Sequence, residues 1–190
     1  MTVPCSLHPL GALPQDPYNP GTLILYQTGE YTYRGELPKG VYKICLVSAG
    51  GTGTYWIAGG MGYAESGGTG AVVELTFFNP KKQNIELYAP PALDGYGSKT
   101  GGNASMKLGA DTVIVVYGGK GAGAGGTYTV NTNLLVVVSV QIEKNGNAGR
   151  SGFSGSVKNP SISPYKDWGF GNEASSGAGG IRLEYIRLRP

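Results

Sequence analysis

Short runs of β-branched and aromatic residues, broken by polar turns or glycine, set the rhythm of this chain. In residues 84–88, Ile85 and Leu87 alternate with Asn84, Glu86 and Tyr88, the two-residue period of a half-buried strand. Residues 22–26 and 31–34 flank Thr28-Gly29 as a first strand pair. The run 41–48 is entered through Leu37-Pro38-Lys39-Gly40, with proline and glycine placed as a turn requires. Residues 71–78 stop at Asn79-Pro80, and further strands are expected over 105–108, 112–117, 134–142 and 181–188. No stretch sustains an apolar period of 3.6, so helix content should be very low. The predicted fold is all-β, a sandwich or open barrel with long glycine-rich loops.

Those loops change the picture. Glycine supplies 34 of the 190 residues, concentrated at 49–70, 95–102, 118–126, 145–155 and 169–180. Glycine loses more backbone freedom on ordering than any other residue, so each cluster works against folding unless close packing compensates. Structureless connections as long as 49–70 are uncommon inside a compact domain. Extended three-residue-per-turn segments lying side by side would order them, each exchanging backbone N–H and C=O groups with its neighbours. The expectation is a polyglycine II-type bundle at one end of the sandwich. Tyr55, Trp56, Met61, Tyr63 and Tyr96 would then cap it or face solvent.

Residues 1–21 form a separate segment. Pro4, Pro9, Pro14, Pro17 and Pro20 bar both helix and central strand, which predicts an extended docking arm or tether before a glycine-rich β domain over 22–190. With 40% hydrophobic and 14% charged residues, the chain as a whole is not of disordered composition. A net charge of +3 without a dense basic patch argues against nucleic acid as a partner. Arg182, Arg187 and Arg189 alternate with apolar residues as the outer side of a strand would. Cys5 and Cys45 make neither a metal spacing nor a disulfide framework, and Cys45 reads as a small buried hydrophobe. The start lacks a secretion-signal pattern and no apolar run is long enough for a helix to span a bilayer. Synthesis without a signal peptide, and no membrane insertion, are therefore expected.

Candidate chemistry is sparse. His8, the only histidine, lies in the arm, away from any serine or cysteine nucleophile of the β domain. Residues 121–126 spell G-x-G-x-x-G but precede β-like residues rather than the helix a dinucleotide site needs. Asn103-Ala-Ser105 reads as a turn-to-strand junction rather than a glycosylation site. Asp94, Asp111, Asp167 and Glu173 border glycine-rich loops, where solvating or capping the loop is the expected role, ahead of calcium or sugar binding. No catalytic, metal or cofactor residues are therefore assigned. Tyr55, Trp56, Tyr63, Tyr96, Tyr165, Trp168 and Phe170 lie in or beside loops, where a ring with a polar tip suits recognition as well as packing. For Tyr88 and Tyr117, at strand ends, packing is expected.

Several runs share an order with a known pattern. GVYKICLVSAGGTG over 40–53 resembles the opening of the glycine-rich domain of bacteriophage tail fibres and phage adhesins. SGGTGAVVEL over 66–75 is similar to its return strand, and GGNASMKL over 101–108 to its glycine-to-strand element. VYGGKGAGAGG over 116–126 resembles its second tract, and GAGGIRLEYI over 177–186 its closing strand. Here the tracts are sparser and interrupted, and residues 128–168 are an added segment. The resemblance implies a non-enzymatic virion component of the phage tail or surface, often trimeric, that attaches to a host. The arm would dock on other virion proteins, and the aromatic loops would meet a host surface glycan or outer-membrane protein. A capsid or tail decoration protein without receptor binding, and a carbohydrate-active enzyme or glycan-binding module, are the alternatives.

Overall fold

A computed structural model describes residues 17–149, 168–172 and 174–189. Twelve strands and no helix appear among them. In chain order they are β1 (Leu23–Thr28), β2 (Tyr31–Leu37), β3 (Gly40–Val47), β4 (Thr54–Ala58), β5 (Met61–Glu65) and β6 (Val72–Asn79). Then follow β7 (Gln83–Ala89), β8 (Ala104–Leu108), β9 (Asp111–Val116), β10 (Tyr128–Val130), β11 (Val136–Lys144) and β12 (Gly180–Arg187). One five-stranded sheet runs β1-β12-β3-β6-β11 and a second runs β10-β9-β8-β7-β2, while β4 and β5 pair only with each other. All named pairings are antiparallel.

Alternation decides what each sheet buries. Tyr42, Ile44 and Leu46 of β3 share one face with Leu75, Phe77 and Tyr185. They pack against Ile85, Leu87, Met106 and Ile114 from the facing sheet, and these contacts form one core. Two unclosed sheets around a common core make a β-sandwich. At its heart Tyr42 stacks on Phe77 and meets Tyr185 edge-on, with ring centroids 5.7 and 5.4 Å apart. The Tyr42 hydroxyl donates to the Pro38 carbonyl at 2.9 Å, satisfying its polar end. Burial pushes this phenol's ionisation above its ordinary range.

The other face of β3 is buried too. Cys45 and Val47 pack with Val72, Trp168 and, in part, Ile142. Glu74 is buried on that face and ion-paired with Lys43. On the outer face of the second sheet, Glu86 accepts hydrogen bonds from Lys107 at 2.9 Å and Arg34 at 2.7 Å.

Segments that leave or enter strands at one end of the sandwich are laced together by their backbones. The N–H groups of Ser48, Ala49, Gly50, Gly51, Thr52 and Gly53 donate in turn to the carbonyls of Ala71, Gly102, Gly177, Gly68, Lys99 and Asn172. The first and fourth bonds reach segment 66–71, and the second and fifth reach 98–103. The third and sixth reach the closing stretch between 169 and 179. Segment 67–71 follows the same rule, donating to Asn172, Lys120, Asn147, Gly169 and Tyr117. A direction of donation that returns every third residue is the period of the polyproline II helix.

Side chains fill slots that no carbonyl reaches. The Asn103 amide oxygen accepts from the Gly118 N–H at 3.0 Å, and the Thr69 hydroxyl accepts from the Asn147 N–H at 2.7 Å. Asn103 immediately precedes β8, and no turn is formed at residues 101–103. Packing is tight enough that the chemistry of glycine becomes a requirement. A Cβ on Gly119 would land on the Gly68 carbonyl, and one on Gly126 on the Tyr117 carbonyl.

Two expectations need correction here. Residues 49–70 are not one long connection, because they contain the β4–β5 hairpin. The end of the proposed arm is also not free. Tyr18 packs on the core with its ring 5.5 Å from Tyr185, and the Gly21 N–H donates to the Tyr185 carbonyl at 2.9 Å. Pro17 and Pro20 are exposed on either side of Tyr18, whereas Pro4, Pro9 and Pro14 lie outside the described residues.

Candidate functional site

The hairpin stands on the laced segments. Gly53 and Ser66, its flanking residues, belong to two adjacent segments, and the Gly51 N–H donates to Gly68 at 2.8 Å just below them. Gly59 and Gly60 make the turn, with φ of 60° and 79°. Two successive residues in this left-handed region form the turn whose twist suits a two-residue hairpin. Glycine reaches that region without a steric cost, so the two β-forming runs either side can close directly on one another.

Between Tyr55 and Ala64 its side chains are aromatic or aliphatic on both faces. Register places Trp56 opposite Tyr63, and their rings stack at 5.8 Å and 15° between planes. Tyr55 lies on the other face, its hydroxyl over Gly62, where a Cβ would collide with it. Tyr96 meets Tyr55 at 5.8 Å. The Gly97 and Ser98 N–H groups donate to the Gly53 carbonyl at 3.1 and 3.0 Å, which brings the Tyr96 loop to the hairpin base. Ser98 holds a positive φ of 56° there, uncommon for a non-glycine residue. Its hydroxyl accepts from the Ala122 N–H at 2.9 Å, fixing this turn to the next segment.

Toward the tip the chain becomes aliphatic. Ile57 is 69% and Met61 62% exposed, the most open large apolar residues among those described. Tyr55, Trp56, Tyr63 and Tyr96 are exposed as well. Exposed large apolar residues thus lie on both faces of the hairpin, Tyr55 and Ile57 on one and Trp56, Met61 and Tyr63 on the other. The base of the hairpin is fixed by the Thr54 hydroxyl, which donates to the Glu65 carboxylate at 3.4 Å.

The seven candidate recognition residues therefore separate. Tyr55, Trp56, Tyr63 and Tyr96 come together on the hairpin and its neighbouring loop. Trp168 does not join them and is corrected to a packing residue. It is 7% exposed, and it covers Cys45, Val47 and Val72 on the back of the first sheet. Gly180 leaves the space its indole occupies. Phe170 is half-buried, and its carbonyl accepts from the Gly177 N–H at 2.8 Å, so it serves the laced segments. Tyr165 lies outside the described residues. Tyr117, expected to pack, is exposed, and it is its carbonyl that the fold uses, accepting from the Ser48 hydroxyl at 2.7 Å.

Ile57 was missed as a site residue, and Met61 was expected to cap the bundle or face solvent but was not assigned to the site. The signal for both was the Gly-Gly pair between TYWIA and MGYAE, the sequence mark of a tight hairpin. Among the described residues, no group of three or more His, Cys, Asp and Glu side chains is arranged to hold a metal ion. His8, Asp167 and Glu173 lie outside the described residues. No protein-family model matches the sequence. No curated protein matches it at a significant level either.

Proposed function

We propose that this chain is a non-enzymatic attachment protein of a virion, a component of a phage tail fibre or tail tip. The hairpin is the part that meets the host surface. The observation that carries the reading is the pairing of an exposed apolar hairpin with a base locked in place by backbone hydrogen bonds. Binding that uses a rigid aromatic surface loses little conformational entropy, because the rings are already ordered before contact. The laced segments supply that order, and the sandwich below them supplies an ordinary buried core. The Pro-rich N-terminal segment carrying Pro4, Pro9 and Pro14 would be the docking arm toward other virion proteins. Copies assembled as a homo-oligomer, with three subunits favoured, would multiply weak contacts into firm attachment.

Adsorption of the purified full-length chain to a panel of bacterial cells tests the reading. The Trp56→Ala variant should lose adsorption to the cells that hold the parent chain, with its melting temperature preserved. Equal adsorption of variant and parent would remove the hairpin from the attachment role. A decoration protein without receptor binding would adsorb to none of the cells.

A further inference from the structure

We infer that the partner of the hairpin is a protein that adds an extended strand to the free edge of β4. The inference rests on the attachment reading above and narrows its partner to one chemical class. An antiparallel ladder closed by a two-residue turn directs the backbone groups of alternate residues outward. With Ala58 opposite Met61 next to the turn, the outward groups of β4 are those of Tyr55 and Ile57. Both residues are exposed. Among the described residues, β4 has no strand neighbour besides β5.

Three surfaces could receive such an element, and its chemistry separates them. A polyol such as a glycan is fixed by side-chain carboxylates, amides or hydroxyls placed around an apolar platform. Residues 55–64 contain no Asp, Glu, Asn, Gln, Arg, Lys, His, Ser or Thr. Tyrosine hydroxyls and one indole N–H are the only side-chain hydrogen-bonding groups of that stretch. The interior of a bilayer would accept the side chains but not the backbone. Each unpaired N–H or C=O carried into hydrocarbon costs several kcal/mol, and open sheet edges do not occur there.

A protein strand satisfies both requirements. Its backbone pairs with the outward groups of Tyr55 and Ile57, while its flanking apolar side chains cover Ile57 and the stacked Trp56–Tyr63 pair. Strand addition at an exposed edge draws affinity from such main-chain bonds and selectivity from alternate side chains. The charge-free stretch fits the same partner, because interface centres are depleted in Lys, Glu and Asp and enriched in Trp, Tyr and Met.

The test uses the full chain on cells that adsorb it. Cells are compared untreated, shaved with proteinase K and oxidised with periodate, beside vesicles of phosphatidylethanolamine and phosphatidylglycerol. Shaving should reduce adsorption at least tenfold, periodate should leave it unchanged, and the vesicles should capture nothing. Ile57→Pro, which removes an outward N–H at an edge position that tolerates proline, should bind at least tenfold more weakly than Ile57→Ala. Tyr55→Pro against Tyr55→Ala repeats the comparison at the second outward amide, and melting temperatures show whether each variant folds. Adsorption that survives shaving, capture by vesicles, or equal binding of the proline and alanine variants overturns the inference. Adsorption that needs Trp56 yet disappears with periodate leaves the attachment reading standing and removes this one. No adsorption to any cell removes both.

Discussion

Gly119→Ala places one methyl group where four segments meet. The Gly119 N–H donates to Ala49 at 3.0 Å, and its carbonyl accepts from Gly101 at 2.8 Å. The position a Cβ would take is held by the Gly68 carbonyl, which itself accepts from Gly51 at 2.8 Å. The obstacle is backbone, so no rotamer change relieves it. Disturbing three hydrogen bonds worth about 1 kcal/mol each, together with overpacking strain of about 1–3 kcal/mol, predicts a loss of about 4–6 kcal/mol. Gly123→Ala is the matched control. Its Cβ would find nothing nearer than 3.9 Å, at a φ outside the left-handed region, and its carbonyl bond with Gly149 would remain. There, restricting the unfolded chain should stabilise by about 0.4–1 kcal/mol. Urea unfolding of both variants beside the parent measures the difference, with unchanged slopes required for the comparison. Equal midpoints for the two variants would refute the idea that close backbone apposition, rather than glycine content, orders these segments.

Three further outcomes are expected. Trp168→Ala should cost about 3–5 kcal/mol of stability in denaturant unfolding while leaving cell adsorption at low temperature intact, because the indole is core rather than contact surface. Loss of adsorption without loss of stability would reverse that assignment. The hydrogen bonds from Lys107 and then Arg34 hold the Glu86 carboxyl below its ordinary range. An acid depressed on folding contributes stability above its unfolded pKa, and that contribution fades as pH falls through the folded value. Glu86→Gln should thus be slightly less stable than the parent near neutral pH, and the gap should close in acid. A gap that widens in acid would contradict the hydrogen-bonding scheme. Deleting residues 1–18 should lower the melting temperature by removing the Tyr18 ring packed on Tyr185, and an unchanged melting temperature would count against that contact.

The strands were legible because their apolar residues alternate or run continuously between clear stops. Ile85 and Leu87 carry a two-residue period, and β3, buried on both faces, reads as an unbroken β-rich run. The entropic cost of glycine showed that the clusters need close packing to be ordered, but the partners of each N–H could not be read from it. Those partners come from segments as far apart as Gly50 and Gly177, and neighbouring residues carry no record of such a pairing. The hairpin was hidden by its surroundings, since glycine on both sides made TYWIA and MGYAE look like decoration within a tract. Trp168 could not be placed from sequence because the surface it covers is the second face of β3. That face is presented by Cys45 and Val47, 121 to 123 positions earlier in the chain.

Where the hairpin is rooted has an evolutionary consequence. Its two ends join rods that grip each other directly beneath it, at Gly51 and Gly68, and the scaffold draws none of its core from the tip. Any loop whose ends span the gap between Gly53 and Ser66 could be spliced onto the same pedestal. Target choice can then drift by exchanging a dozen residues, while the machinery that displays them stays constant.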